Sequence, residues 1–220
     1  MIFIAFTGVK GSGKTTASGF LKELVPDMQE VTLAKRLKDA SSVVLGIPRD
    51  DFDNPAVKEK ELATPVYLDE KNVAALFDFF KVTPDYDKHI RPHISKVLHS
   101  PRRVAQYVGT EVLRNFDEDI HCTGAVIDVT EGGIYVVTDM RFTGEYDFFK
   151  TRYGTNFYPY YIQNGLAEKK VDNHPSEMQV FEVAKKCVKL DNNGTLEDLR
   201  NRVSQVYQEV MNTRLSKVGG

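Results

Sequence analysis

Gly8-Val9-Lys10-Gly11-Ser12-Gly13-Lys14-Thr15, entered from the apolar run Ile2-Phe3-Ile4-Ala5-Phe6, is the stretch on which the reading of this chain turns. It satisfies the spacing G-x-x-x-x-G-K-[ST]. A buried strand must end there, the chain must turn tightly, and the helix that follows must start with unpaired N–H groups converging on one point. Such an arrangement binds a polyphosphate. Gly8, Gly11 and Gly13 let the backbone curl around an anion without Cβ clashes. Lys14 can reach the β- and γ-phosphates, and the Thr15 hydroxyl can ligate the magnesium ion that travels with them. Lys10, Ser12 and Thr16 complete the set of residues expected to border the nucleotide. The four fixed positions coincide by chance about once in a hundred chains of this size, and the flanking strand and helix make coincidence rarer still.

Bulk properties agree with a soluble α/β protein. The chain has 220 residues, 41% of them hydrophobic and 27% charged, with a formal net charge of -2. That length suits a single domain carrying an insertion. The charge balance argues against a broad nucleic-acid or membrane surface, and the basic clusters Lys35-Arg36-Lys38 and Arg102-Arg103 suit a small anion better than a polymer. Cys122 and Cys187 are distant and lack metal-ligand spacing, which reads as two buried thiols, with nothing to suggest an oxidising compartment. The N-terminal apolar run has no basic leader and is expected to be a core strand. With no stretch of about 20 apolar residues, the expected location is the cytoplasm.

Ile2–Thr7 reads as a strand covered on both faces, and 14–24 as the first helix, stopped by Pro26. A short strand is expected at 28–31 and a helix at 33–45, closed by Gly46 and Pro48. Residues 47–71 read as an irregular stretch and 72–80 as a helix; together 47–99 is expected to be an insertion that helps bind substrate. Ser100-Pro101 is a helix start, with a side-chain cap and proline in the first turn, and Val104, Val108 and Val112 mark its buried face. Residues 119–130 fit either a helix or a strand. Ile134–Thr138 is a buried strand ending at Asp139, followed by a helix over 143–153, a strand over 157–162 and a short one over 187–190. Thr195 and Asp198 form a capping box ahead of Leu199, Val203, Val206 and Val210. Alternating strands and helices around a phosphate loop predict a doubly wound parallel sheet of the P-loop NTPase type.

Several residues carry candidate chemistry. Asp139 stands at the carboxyl end of a buried strand, where ligands bind in open α/β sheets, and can hold magnesium directly or through water. Arg141 can stabilise charge on a transferring phosphoryl group. Arg102 and Arg103 occupy the first turn of a helix, a position where the helix dipole disfavours cations; a bound phosphate would resolve that conflict, since guanidinium groups bind phosphate bidentately. Lys38 lies on a basic helix face and is a weaker candidate for the same anion. Residues 164–177, containing His174 and Glu177, have the polar composition of a lid that closes over phosphates and excludes water. Two further patterns lead nowhere: Gly11-Ser12-Gly13 is followed by Thr16, so the dinucleotide pattern G-x-G-x-x-G is not met, and Asp191-Asn192-Asn193-Gly194 reads as a turn before the last helix, with no guanine-reading motif to accompany it.

Together these pieces resemble the bacteriophage deoxynucleoside monophosphate kinases of the P-loop kinase superfamily. The resemblance rests on residues 8–15, on Leu33-Ala34 through Lys38-Asp39-Ala40, and on Arg102-Arg103 through Gln106, Gly109-Thr110 and Asn115-Phe116. Val137-Thr138-Asp139-Met140-Arg141 and the segment from His174 to Glu177 complete it. It implies transfer of the γ-phosphate of ATP, with Mg2+, to a deoxynucleoside monophosphate (dNMP), giving dNDP and ADP. On that reading Lys14, Asp139 and Arg141 are catalytic, Thr15 and Asp139 serve the metal, and Lys38, Arg102, Arg103, His174 and Glu177 face the acceptor. No nucleic-acid polymer or membrane partner is expected, and a homodimer is left open. The rival readings are another small-molecule kinase with the same loop, of the dephospho-coenzyme A or phosphomevalonate type, and a non-catalytic nucleotide-dependent switch protein.

Overall fold

The computed structural model describes residues 1–170 and 175–218; the side chains of 175–177 and 215–218 are outside that description. In chain order the regular elements are β1 (Ile2–Thr7), α1 (Lys14–Leu24), β2 (Gln29–Val31), α2 (Lys35–Leu45), β3 (Val66–Tyr67), α3 (Glu70–Phe79), β4 (Val97–Leu98), α4 (Pro101–Tyr107) and α5 (Ile120–Val126). They continue with β5 (Ile134–Val137), α6 (Thr143–Tyr153), β6 (Phe157–Gln163), α7 (Gly165–Glu168), α8 (Pro175–Ala184), β7 (Val188–Asp191) and α9 (Leu196–Val218). The chain parts into two compact units, one formed by residues 1–32 and 128–220 and the other by residues 33–127.

The first unit is an α/β layer structure around a five-stranded sheet in the order β2-β5-β1-β6-β7, with every pairing parallel. All six residues of β1 are buried, because parallel strands joined by helical crossovers are covered on both faces. Ile2, Ile4 and Phe6 point to one side and pack with Ala17 and Leu21 of α1 and with Leu199, Val203, Val206 and Val210 of α9. Phe3 points to the other, where it stacks on Tyr135 at 5.1 Å and on Tyr153 at 4.1 Å and meets Phe149 of α6. Tyr161 joins Val9 and Val180 of α8 on that same side. Burying an aromatic or aliphatic side chain of this kind contributes about 1.5–3 kcal/mol, so the alternation of β1 fixes which helices lie on which face.

The chain leaves β1 toward β2 and leaves β6 toward β7. Connections from these neighbouring strands therefore diverge, placing the topological switch point at the carboxyl end of β1, where open α/β sheets bind ligands. The doubly wound parallel sheet expected from the sequence is the observed fold.

The second unit has its own core. Leu37 and Ala40 of α2, Val73, Leu76 and Phe77 of α3, Val104 of α4 and Ile120 of α5 meet in one cluster with Val108, Val112 and Leu113. The residues of 47–71 differ from an irregular stretch: a 3-10 turn at Arg49–Phe52 buries Phe52, and β3 pairs antiparallel with β4. The helix expected at 72–80 starts two residues earlier, because Asp69 and Asn72 cap it reciprocally, Asn72 N–H to Asp69 Oδ1 at 2.8 Å and Asp69 N–H to Asn72 Oδ1 at 2.9 Å. The compact unit is also wider than the 47–99 stretch, because α2, α4 and α5 share its core. The ambiguous 119–130 region resolves as the helix α5. Beyond Tyr107 the chain widens into a π-helical turn, Val108–Arg114, which keeps Val108 and Val112 buried but departs from the regular helix that their spacing suggests.

Candidate functional site

The phosphate loop runs between β1 and α1, at the switch point of the sheet. Its shape depends on its glycines. Gly8, Gly11 and Gly13 have φ of 153°, 81° and 104°, a range that side-chain-bearing residues rarely adopt. A Cβ on Gly8 would lie 2.5 Å from Ser12 Oγ and 2.9 Å from the Ile162 carbonyl, so the loop closes on itself and on β6. Ser12 N–H donates to the Val9 carbonyl at 3.2 Å, and Ala17 N–H to the Gly13 carbonyl at 2.9 Å, which begins α1. Ser12 is fully buried, and among the described residues its Oγ has no hydrogen-bond partner.

Lys14 is half-buried and folds back over the loop, with Nζ donating to the carbonyls of Gly8 at 2.7 Å and Val9 at 2.8 Å. Its ammonium is thus held at the loop rather than in the solvent. Lys10, Thr15 and Thr16 are exposed around it.

Asp139 lies just past β5, which pairs directly with β1 in the register Ala5↔Val137. The buried Thr7 hydroxyl donates to the Met140 carbonyl at 2.8 Å, pinning the segment that carries Asp139 beside the strand that delivers the loop. Arg141 is held by its backbone: its N–H donates to Glu145 Oε2 at 2.7 Å, and Phe142 N–H to the same oxygen at 3.0 Å. Glu145 itself is buried. The structure therefore gathers the loop residues, Asp139 and Arg141 at the carboxyl ends of β1 and β5, within one compact unit.

Hard oxygen donors suit magnesium, which usually keeps several waters and takes one or two protein ligands together with substrate phosphates. The Thr15 hydroxyl and the Asp139 carboxylate fit that habit. Among the described residues no group of three or more His, Cys, Asp or Glu could hold a metal by itself.

Lys38, Arg102 and Arg103 belong to the second unit. Lys38 is bonded to Asp53, within a chain of ion pairs that continues through Arg49 to Asp39 and Lys35. Burial would raise the Asp53 carboxyl, but hydrogen bonds from Lys38 and Arg49 outweigh it and hold the group below its ordinary value. Ser100 caps α4 as expected, its Oγ accepting from Arg103 N–H at 3.3 Å. Arg102 pairs with Glu59 at 2.9 Å, so a carboxylate already offsets part of the cationic charge in that first turn. The Arg103 side chain is exposed. His174 lies outside the described residues; Glu177 falls in α8, its side chain also outside them.

At the head of the 164–177 segment, Asn164 Oδ1 accepts from Ala167 N–H at 3.0 Å and caps α7. Tyr161 donates to Glu168 at 2.6 Å, and burial followed by that bond pushes the phenol well above its usual range. One residue of the loop's surroundings was not anticipated. Asn192, in the Asp191–Gly194 turn, donates from Nδ2 to the Ser12 carbonyl at 2.8 Å. Its signal was positional: it follows the carboxyl end of a strand in a parallel sheet, where ligand sites gather.

Fold and site together define an α/β protein with a central parallel sheet and the phosphate-loop motif at its switch point. No family model matches the chain. Over 221 aligned residues it is 28% identical to a protein of Acanthamoeba polyphaga mimivirus named "Putative deoxynucleotide monophosphate kinase", with 92% of this chain and 94% of that one covered. The resemblance read from the sequence was to bacteriophage proteins; this relative is viral but belongs to a mimivirus. Among solved structures it is similar to TT1252 from Thermus thermophilus, at 16% identity and a TM-score of 0.46, with 94% of this chain and 97% of that chain covered. It is similar also to a sugar kinase from Janibacter sp., at 11% identity and a TM-score of 0.37, with 96% and 95% covered. Among the described residues no helix is long and apolar enough to cross a membrane.

Proposed function

We propose that this chain is a phosphotransferase that moves the γ-phosphoryl group of ATP to the phosphate of a deoxynucleoside monophosphate, giving a deoxynucleoside diphosphate and ADP. The observation that carries the reading is the loop itself: three glycines at positive φ and the Lys14 ammonium held over the loop, beside a strand end that carries Asp139. The name of the mimivirus relative supports the choice of acceptor.

Lys14 would exchange its two carbonyl acceptors for the β- and γ-phosphate oxygens, because a charge-assisted bond to an anion is stronger than one to a neutral carbonyl. Thr15 and Asp139 would hold magnesium, which when bound would supply positive charge to the triphosphate, while the acceptor oxygen bonds to the γ-phosphorus and the β–γ bridging oxygen leaves with ADP. Arg141 would stabilise the equatorial oxygens of the group in flight. The acceptor oxygen is already anionic, so no strong general base is required, and catalysis is positioning and charge neutralisation. In the second unit, Arg102 or Arg103 would bind the acceptor phosphate, with Lys38 released from Asp53 to assist. Residues 164–177, His174 and Glu177 among them, would exclude water.

The test is a coupled ADP-release assay with Mg-ATP against all common NMPs and dNMPs, alongside dephospho-coenzyme A and phosphomevalonate. Turnover stimulated by one or more dNMPs is expected. Stimulation by one of the other acceptors alone would reassign the substrate, and ATP turnover indifferent to every acceptor would contradict phosphotransfer.

A further inference from the structure

The last strand of the sheet ends in a turn that the phosphate-binding reading does not use, yet that turn is tied to the loop. We propose that Asn192 is a positioning residue of the phosphate loop: its side-chain amide sets the orientation of the Ser12–Gly13 peptide, and so aims the Gly13 N–H at the donor phosphates. The proposal rests on the reading of residues 8–15 as a polyphosphate site.

Asn192 Nδ2 donates to the Ser12 carbonyl at 2.8 Å. In a trans peptide the C=O and N–H point in opposite directions, and no cis peptide is found among the described residues. Holding the Ser12 carbonyl on Asn192 therefore turns the Gly13 N–H the other way. The same amide packs where Gly13 lacks a side chain: a Cβ there would come within 2.5 Å of Asn192 Nδ2. The glycine thus answers to two demands, a φ of 104° and the close approach of this one amide.

Asn192 is itself fixed. Its N–H donates to the Gln163 carbonyl at 2.7 Å, and its carbonyl accepts from Asn164 Nδ2 at 2.8 Å. Beside it, Asn193 Oδ1 accepts from Gly165 N–H at 2.9 Å. The backbone that carries the amide is therefore anchored to the carboxyl end of β6 and the head of α7. Preorganised N–H groups act on a phosphate without reorganisation at the moment of binding, so freeing this peptide should weaken polyphosphate binding as such.

The experiment is calorimetric titration of the full chain with Mg-ATP and, separately, with magnesium and inorganic tripolyphosphate. The variants are Asn192→Leu, which keeps the volume and removes the donor, and Asn192→Ala as a second should the first fail to fold, with Lys14→Ala as the control for the loop. Asn192→Leu is expected to weaken both ligands by the same factor, about three- to tenfold for one lost hydrogen bond. The effect on turnover should enter through KM for ATP, with KM for the acceptor unmoved. Weakened ATP binding with unchanged tripolyphosphate binding would overturn the proposal, since the amide would then act on the nucleoside. A lowered unfolding midpoint with both affinities unchanged would overturn it too, leaving Asn192 a part of the turn. A wild type that binds neither ligand, or binds them no better than Lys14→Ala does, overturns the loop reading itself and the proposal with it.

Discussion

Gly13 sits where a backbone demand and a packing demand coincide. With φ at 104° and Asn192 Nδ2 2.5 Å from the position of a Cβ, Gly13→Ala should cost about 1–3 kcal/mol in backbone strain alone, read as a lower urea midpoint together with lost tripolyphosphate binding. Asp139→Asn keeps shape but removes charge, and should raise the magnesium concentration for half-maximal activity by about 10- to 100-fold, measured by metal titration of the turnover rate. At this scale the loop was legible in the sequence because its residues are contiguous and each has one physical task. Asp139 was legible because the buried run before it ends abruptly in a charge. Asn192 was not, since its partner Ser12 is 180 residues away and nothing local distinguishes an amide that reaches another segment from one that closes its own turn. Lys38 shows another limit: its basic helix face suggested a ligand, and the structure adds a carboxylate partner, Asp53, 15 residues on.

Among the elements, those with a local stop or start signal formed where the sequence placed them. Ser100 caps α4, and Thr195 and Asp198 cap α9 reciprocally, with Thr195 N–H to Asp198 Oδ2 at 2.8 Å and Asp198 N–H to Thr195 Oγ1 at 3.2 Å. Gly46, in the left-handed region at φ 71°, ends α2. Ser100→Ala should lower stability by about 0.5–2 kcal/mol, seen as a shift in the chemical unfolding midpoint. Because the same cap sets the start of the helix that carries Arg102 and Arg103, KM for the acceptor should rise with it. What escaped the sequence was packing-driven structure. The 3-10 turn at 49–52 exists because Phe52 enters a core built mainly from residues distant in sequence, and the π-turn over 108–114 answers to neighbours such as His121, whose Nε2 meets the Gly109 carbonyl at 2.9 Å. No periodicity within a short window encodes either.

At the scale of the whole molecule, the sequence conveys strand–helix alternation but neither the strand order nor the extent of the second unit. Both depend on which long connections cross the sheet, and β2 and β5 pair as neighbours although 33–127 lies between them. That unit buries two histidines. Burial lowers the His121 pKa, and it lowers that of His93 too, where Lys96 and His89 add to it and Glu111 opposes. An unfolded chain then binds more protons than the folded one, so the histidines' contribution to stability is fully present above the ordinary value of 6.5 and is lost as pH falls from there through the lowered folded-state values. Unfolding midpoints followed from neutral to mildly acid pH should drop, and His121→Gln should flatten the slope. Whether the loop is the donor site for phosphotransfer is decided by following label from [γ-32P]ATP into a deoxynucleoside diphosphate with the wild type and with Lys14→Ala. Labelled dNDP is expected from the wild type, with a rate about 100- to 1,000-fold lower from the variant; label appearing only as inorganic phosphate, or equal transfer by both proteins, would rule out that role for the loop.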